Sequence, residues 1–160
     1  MNLSAASLED EALLDYIVEL VRLHGVEPHR LCFEITETEA VRNFARAVKF
    51  IERLRTFGCC VALDDFGAGM SSFGYLKNLP VDAIKVDGSF IRDLDNDPMS
   101  RSIVDAITEI GHQRGMEVVA EWVDSERIIE VLRLLGVDYG QGHALHLPEP
   151  VLYQRTQRTP

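Results

Sequence analysis

The sequence predicts an α/β fold with a parallel sheet, because five short apolar runs alternate with longer segments of helical pattern. Each apolar run leads into a polar residue suited to chemistry, namely Glu34, Asp64, Lys85, Glu121 or Gln141. The successive spacings are 30, 21, 36 and 20 residues, which fit one strand, one helix and two loops. These side chains are therefore expected at the C-terminal ends of parallel strands, on the face where (β/α) barrels carry their catalytic groups.

Helices are predicted where apolar residues recur at helical spacing between residues that start or stop a helix. Ser7 and Asp10 have a spacing like that of a capping box, which places a helix start at Ser7. Gly25, Gly58 and Gly115 follow the last apolar residues of three segments and are expected to end them. In chain order, the predicted helices cover about residues 7–24, 38–57, 72–79, 99–114 and 125–135.

The strands are expected in the short apolar stretches between these helices. They cover about residues 31–35, 59–63, 81–86, 117–120 and 137–140. The last ten residues are polar and carry no pattern, so we expect one domain over residues 1–150, followed by a frayed tail over residues 151–160.

Composition and charge narrow the classes of function. A chain of 160 residues with 46% hydrophobic content can form one domain with a sizeable core. The net charge of −10 argues against non-specific binding to DNA or other nucleic acids, which needs a basic surface. An acidic pocket can still hold a phosphate-bearing substrate if divalent cations lie between the two sets of negative charge.

The sequence shows no feature of a secreted or membrane protein. No stretch approaches the roughly 20 apolar residues of a membrane span, and no signal peptide is visible. Three cysteines do not make a disulfide framework, and Cys59 and Cys60 open an apolar strand, which favours reduced core residues. We therefore expect a cytoplasmic location, either alone or within a larger signalling protein.

The adjacent carboxylates Asp64 and Asp65 are the sharpest local signal. They repel each other unless cations neutralise them, and at a frayed strand end both could reach one centre with two metal ions. The residues alone leave other readings open: a turn or cap for this pair, a helix-start carboxylate for Glu34, and a surface lysine for Lys85.

Six short segments in the expected order resemble the EAL domain family: residues 2–4, 33–37, 63–69 with Ser71-Ser72, 84–87, 120–121 and 141–142. The resemblance covers about residues 1–150. It implies a TIM-type barrel that hydrolyses the bacterial second messenger cyclic di-GMP to linear pGpG with Mg²⁺ or Mn²⁺.

The resemblance also implies roles for individual residues. The expected metal ligands are Asn2, Glu34, Asp64, Asp65 and Glu121. Asp65 would serve the second metal, while Lys85 and Gln141 would hold the attacking water. None of the five histidines matches a family ligand, so these are expected to be structural or surface residues.

A loop after Asp65 completes the resemblance. Glu37 matches a family glutamate that steadies this loop. The loop links substrate binding, metal binding and dimerisation in the family, and its matching residues are Phe66, Gly67, Gly69, Ser71 and Ser72.

The resemblance implies that only part of the barrel is present. A TIM barrel typically needs about 250 residues, and this chain matches about strands four to eight, entering at the end of the third. The Glu-x-Leu-x-Arg segment that names the family has no counterpart, since Glu11-Ala12-Leu13 lies in a helical pattern and Asp15 stands where the arginine would be. We therefore expect an incomplete barrel that self-associates through exposed sheet edges, forms a homodimer, or belongs to a longer protein.

Two substitutions depart from the family pattern near the expected site. Trp122 stands in place of a usual glycine, where an indole could stack on a guanine or crowd the pocket. The stretch from His143 to Leu147 lacks the aromatic residues and the cation that the family tends to carry there.

The sequence and the resemblance leave three functions open. The first is a cyclic di-GMP phosphodiesterase whose activity is impaired in this chain. The second is a catalytically inactive EAL-type module that binds cyclic di-GMP and acts through protein partners. The third is a different metal-dependent barrel enzyme that abstracts a proton with Lys85.

Overall fold

The computed structural model describes residues 1–69 and 73–148; Ser71, Ser72 and the predicted tail lie outside these residues. The strands are β1 Asn2–Leu3, β2 Cys32–Thr36, β3 Cys60–Phe66, β4 Ala83–Val86, β5 Glu117–Ala120 and β6 Tyr139–Gly140. They form one sheet in the order β1-β2-β3-β4-β5-β6, and every neighbouring pair is parallel. The predicted α/β fold with a parallel sheet is confirmed.

Helices connect successive strands. They are α1 Ala5–Glu9, α2 Glu11–Leu23, α3 Glu37–Arg42, α4 Phe44–Phe57, α5 Gly88–Ile91, α6 Pro98–Gln113 and α7 Glu126–Leu134, with 3₁₀ helices at Pro28–Arg30 and Phe73–Asn78. Within the described part of the chain, no helix is both long and apolar enough to span a membrane.

The sheet is open at both sides. In the described ranges, β1 pairs only with β2 and β6 only with β5, so the six strands do not close into a ring. Both edge strands have two residues, which limits the unpaired backbone that each one presents.

The register of the strands decides which side chains share a face. Glu34 lies beside Ala62 and Ala62 lies beside Ala83. Residues in register face the same side of a sheet, and so do alternate residues along a strand. Asp64 and Lys85, each two residues further along, therefore lie on the same face as Glu34.

The opposite face of the sheet forms the core. Phe33, Ile35, Leu63, Ile84 and Val118 are buried there, in a cluster that includes apolar residues of α4 and α6. Burying a side chain of this size contributes about 1.5–3 kcal/mol. A well-packed layer thus fixes the strands whose other face carries the polar side chains.

The helices differ from the predicted ones at three positions. Ser7 does not begin a helix, because Ser4 caps α1 in a reciprocal capping box with Ser7. Asp10 has extended backbone angles that end α1, and its side chain then caps α2. The predicted helix over residues 38–57 is divided at Asn43, whose backbone leaves the helical region between α3 and α4.

The predicted strand boundaries also need correction. The second predicted strand does not end at residue 63, because β3 continues to Phe66. The strand predicted over residues 81–86 begins at Ala83, and the last strand begins at Tyr139. Short elements such as β1 and α5 have too few residues to show a periodic pattern.

Candidate metal-dependent active site

Lys85 is surrounded by carboxylates at the C-terminal ends of the central strands. Its Nζ donates hydrogen bonds to Asp64 Oδ1 at 2.8 Å and to Glu34 Oε2 at 3.2 Å, and it lies 2.8 Å from Glu121 Oε1. Only 8% of the Lys85 side chain is exposed. The sequence predicted a partly buried stem, and the structure buries the charged group as well.

The ion pairs keep Lys85 protonated. Burial by itself would lower the pKa of the ammonium group, but hydrogen bonds and charges from Asp64 and Glu121 outweigh it and raise the pKa above its usual range. A lysine held in this way is a donor of hydrogen bonds and a source of positive charge. This arrangement disfavours the alternative in which Lys85 abstracts a proton.

Asp64 and Asp65 reach one side of the sheet through a bulge, and the expected frayed strand end is wrong. The pairing of β3 with β4 shifts register between Leu63 and Phe66, and Asp65 has a φ of 53°. This conformation is uncommon for a non-glycine residue and re-aims the side chain. Without the bulge, adjacent side chains would point to opposite faces of the sheet.

Asp64, Asp65 and Glu121 form a cluster that could hold a cation. Each offers one carboxylate oxygen, and these oxygens all lie within 4.8 Å of one another. Burial and the neighbouring charges of Asp64 and Asp87 raise the pKa of Asp65. Burial also raises the pKa of Glu121, although Lys85 opposes this effect. The carboxylates therefore repel one another even with Lys85 in place.

The donor set fits a hard divalent cation. Glu34, Asp64 and Glu121 pair with one ammonium group, and Asp65 adds a fourth carboxylate, so the site has an excess of negative charge. Carboxylate oxygens are the ligands that Mg²⁺ and Mn²⁺ prefer. A bound divalent cation would relieve the repulsion that raises the pKa of Asp65.

Two expected site residues lie beside the cluster without a described side-chain contact to it. Asn2 is in register with Glu34 on β1. Gln141 follows β6, and its backbone N–H donates to Ala120 O at 2.8 Å, while its side chain is exposed. Both residues therefore lie on or directly after strands of the same sheet as the cluster, and their roles stay predictions.

Glu37 joins the two sides of the expected loop. Its Oε2 accepts a hydrogen bond from the Gly67 N–H at 3.0 Å, and its Oε1 accepts from the Tyr75 hydroxyl. Glu37 is almost fully buried. The burial of the Tyr75 hydroxyl, together with its hydrogen bond to the Glu37 carboxylate, raises the pKa of Tyr75. The sequence reasoning missed Tyr75, because nothing in a short 3₁₀ segment shows that its hydroxyl meets a distant glutamate.

Phe66 and Gly67, at the start of the loop, pack closely against neighbouring aromatic rings. Phe66 is buried with its ring centroid 5.7 Å from that of Phe73. Gly67 has a φ of 94°, and a Cβ there would lie 2.7 Å from the Phe90 ring. Gly69 is exposed, and Ser71 and Ser72 lie outside the described residues.

The literal Glu11-Ala12-Leu13 lies in a helix and not in a strand, as predicted. These residues begin α2, and Asp15 in the same helix forms an ion pair with Arg53 at 3.0 Å. They therefore contribute no side chain to the cluster described above.

Comparison with known proteins gives consistent results. A sequence model of the family described as EAL domain matches residues 1–148. Cyclic di-GMP phosphodiesterase PdeB of Shewanella oneidensis is 40% identical over 151 residues, which cover 94% of this chain and 18% of PdeB.

Solved structures share the fold. The PaMucR phosphodiesterase, solved as a c-di-GMP complex, has a TM-score of 0.87 at 37% identity, covering 93% of this chain and 60% of that one. The FimX EAL domain from Pseudomonas aeruginosa, bound to c-di-GMP, has a TM-score of 0.84 at 31% identity, covering 90% and 59%. The chain thus spans less than a fifth of PdeB and about three fifths of each solved chain.

Proposed function

The chain belongs to the EAL domain family, and from this premise we propose that it serves the metal-dependent hydrolysis of cyclic di-GMP to linear pGpG. We assign residues 1–150 to a partial EAL domain. The observation that carries the proposal is the set of ion pairs that Lys85 forms with three carboxylates, those of Glu34, Asp64 and Glu121. Asp65, which has a positive φ, adds a fourth carboxylate beside them.

The metal ligands would be Asp64, Asp65, Glu121 and Glu34, with Asn2 beside them on β1. Two Mg²⁺ or Mn²⁺ ions bound there would supply Lewis acidity toward the phosphodiester and a reactive water at neutral pH. The residues themselves supply a fixed array of oxygens, because the five paired strands β1 to β5 set their positions.

Lys85 would stabilise negative charge. A protonated amine at the centre of the carboxylates holds Asp64 and Glu121 in place by hydrogen bonds. It can also donate to a phosphate oxygen as charge grows there in the transition state. Gln141, which follows β6, is the proposed partner for the attacking water.

Turnover by residues 1–160 alone is expected to be weak. The family resemblance places a metal-binding glutamate and a phosphate-binding arginine before Asn2, and this polypeptide holds no counterpart to either. Binding that depends on Mg²⁺ is expected to persist, since the carboxylate cluster is assembled without them.

Calorimetry and product analysis on the purified 160-residue chain test the proposal. Cyclic di-GMP should bind in Mg²⁺ and bind poorly in a chelator, and Asp64→Asn should abolish the difference. Asp105→Asn is the matched control, because Asp105 is exposed on α6 away from the cluster. Failure of wild type to bind cyclic di-GMP in any divalent metal would contradict the proposal.

The same experiment separates the second candidate. This candidate is a binding module: the solved FimX EAL domain that shares this fold is bound to c-di-GMP, and so is the PaMucR phosphodiesterase. Tight binding with no pGpG formed in Mg²⁺ or Mn²⁺ would support the module. Rapid metal-dependent formation of pGpG would exclude it and would overturn the expected weak turnover.

A further inference from the structure

Trp122 is held in an unusual backbone conformation beside the acidic cluster. Its φ is 56°, and among the described non-glycine residues only Asp65 shares a positive φ. Such a conformation is strained for a bulky residue and persists where the surrounding structure enforces it. Trp122 directly follows Glu121, so both unusual residues border the same site.

The indole is fixed by two residues of α5. Its edge lies against Gly88, where an added Cβ would come within 2.1 Å of the Trp122 ring. The Arg92 guanidinium carbon lies 4.2 Å from the ring centroid, which is a close cation–π contact. Because α5 follows β4, which carries Lys85, the ring lies at the same end of the sheet as the cluster.

Despite these contacts, Trp122 is 57% exposed. A single exposed tryptophan is unremarkable by itself. Here a strained backbone, a glycine that makes room and a stacked arginine combine to orient a large aromatic surface that stays open. A rigid aromatic ring next to a guanidinium suits a ligand that has both a flat base and a phosphate.

We propose that Trp122, supported by Arg92, is a stacking platform for one guanine base of cyclic di-GMP and is a specificity-determining residue of this site. The inference rests on the proposed function, because it takes its ligand from there. Arg92 orients the indole and adds positive charge near the ligand, whereas Gly88 provides the space that the ring needs.

The fluorescence of Trp122 tests the inference directly, since the chain contains one tryptophan. The 160-residue chain is titrated in Mg²⁺ with cyclic di-GMP and, as a pyrimidine control, with cyclic di-UMP. N-acetyltryptophanamide in the same nucleotide solutions corrects for absorption. Calorimetry in parallel gives the affinity without relying on the indole. We expect saturable quenching by cyclic di-GMP and weak or no quenching by cyclic di-UMP.

Variants then measure what the ring contributes. Trp122→Gly is expected to weaken cyclic di-GMP binding about fivefold or more, in line with losses from other base–aromatic stacks. A glycine is unstrained at this φ, so the variant should fold. Trp122→Phe should retain most of the affinity. Tyr16→Ala, which removes an exposed aromatic residue on α2, should leave binding unchanged.

The outcomes separate this inference from the proposed function. Suppose that calorimetry shows binding of cyclic di-GMP without quenching, and that Trp122→Gly binds it as tightly as the wild type does. This result overturns the stacking role and leaves the proposed function standing. Quenching and weakened binding of the variant, with no pGpG formed, support the platform and contradict the hydrolysis. Fluorescence that depends on protein concentration and not on nucleotide would assign the indole to a contact between copies and overturn the inference.

Discussion

Lys85 Nζ lies 2.8 Å from Glu121 Oε1, which joins the end of β4 to the residue that follows β5. The same nitrogen bonds to Asp64 on β3, so one buried cation ties three neighbouring strand ends together. The contact balances part of the negative charge with which the cluster would bind a divalent cation. Charge balance is therefore both a structural and a functional property of this site.

Replacing Lys85 with methionine should destabilise the fold in the absence of metal. The carboxylates of Asp64 and Glu121 are mostly buried, and removal of their cation leaves them uncompensated. We expect a loss of about 1–3 kcal/mol in the free energy of unfolding, measured by urea denaturation in a chelator. Lys77→Met is the control, because Lys77 is exposed. Equal effects of the two substitutions would contradict the assigned role of Lys85.

Magnesium should raise the stability of the wild type through the acidic cluster. A cation that binds only the folded state contributes about 2.7 kcal/mol at a concentration of 100 times its Kd. Asp65→Asn removes one ligand oxygen's charge and should weaken binding about tenfold, which lowers the shift by about 1.4 kcal/mol. The measurement is the melting temperature against Mg²⁺ concentration. Asp105→Asn should behave as wild type, and an unchanged response of Asp65→Asn would count against the metal site.

The strand ends were predictable because each apolar run stops at a polar residue. A parallel sheet brings such ends to one edge, and the register confirms that Glu34, Asp64 and Lys85 share a face. The bulge at Asp65 was not predictable, since it arises from how β3 pairs with β4. The cap at Asp10 and the helix break at Asn43 were missed because apolar spacing continues across both positions.

Glu37 and Tyr75 illustrate a second kind of contact that sequence cannot show. They are separated by 38 residues, and their hydrogen bond joins the start of α3 to the 3₁₀ helix Phe73–Asn78. The sequence resemblance named Glu37 but gave no partner for it. A residue pattern predicts which face of a single helix or strand is buried. The contact between Glu37 and Tyr75 forms only when two elements pack together.

The pair of Glu37 and Tyr75 should show strong energetic coupling. Glu37→Ala leaves the Tyr75 hydroxyl and the Gly67 N–H without their acceptor, which we expect to cost about 1–3 kcal/mol. Tyr75→Phe should cost less, because Glu37 retains Gly67. Urea denaturation of both single variants and the double variant gives the coupling energy, expected to be about 0.5–3 kcal/mol. Simple additivity would show that the hydrogen bond contributes nothing to stability.

Asp138 should make the stability depend on pH in the acidic range. Burial tends to raise its pKa, but hydrogen bonds from the Val118 N–H and from His112 outweigh burial and lower it. A carboxylate with a lowered folded pKa stabilises the protein above its unfolded pKa of about 4, and this contribution is lost as the pH falls further.

Asp138→Asn tests this pH dependence. The difference in urea midpoint between wild type and variant should be present at about pH 5 and should shrink as the pH falls from there through about 4. Asp105→Asn serves as the exposed control and should show no such convergence with wild type. A difference that grows on acidification would have the opposite sign and would contradict the lowered pKa.

The open sheet leads to an expectation about assembly. In the described part of the chain, β6 has a partner only on its β5 side, and Tyr139 on this strand is 56% exposed. An unpaired edge can add a strand from a second molecule, and a charged edge residue opposes this. We expect concentration-dependent self-association of residues 1–160 by light scattering, reduced in Tyr139→Lys. Leu134→Lys is the matched control, because Leu134 is 86% exposed on α7 and outside the sheet. If both substitutions lower the average mass equally, exposed apolar surface drives the association and the sheet edge does not. A wild-type chain that stays monomeric at all concentrations would rule out self-association.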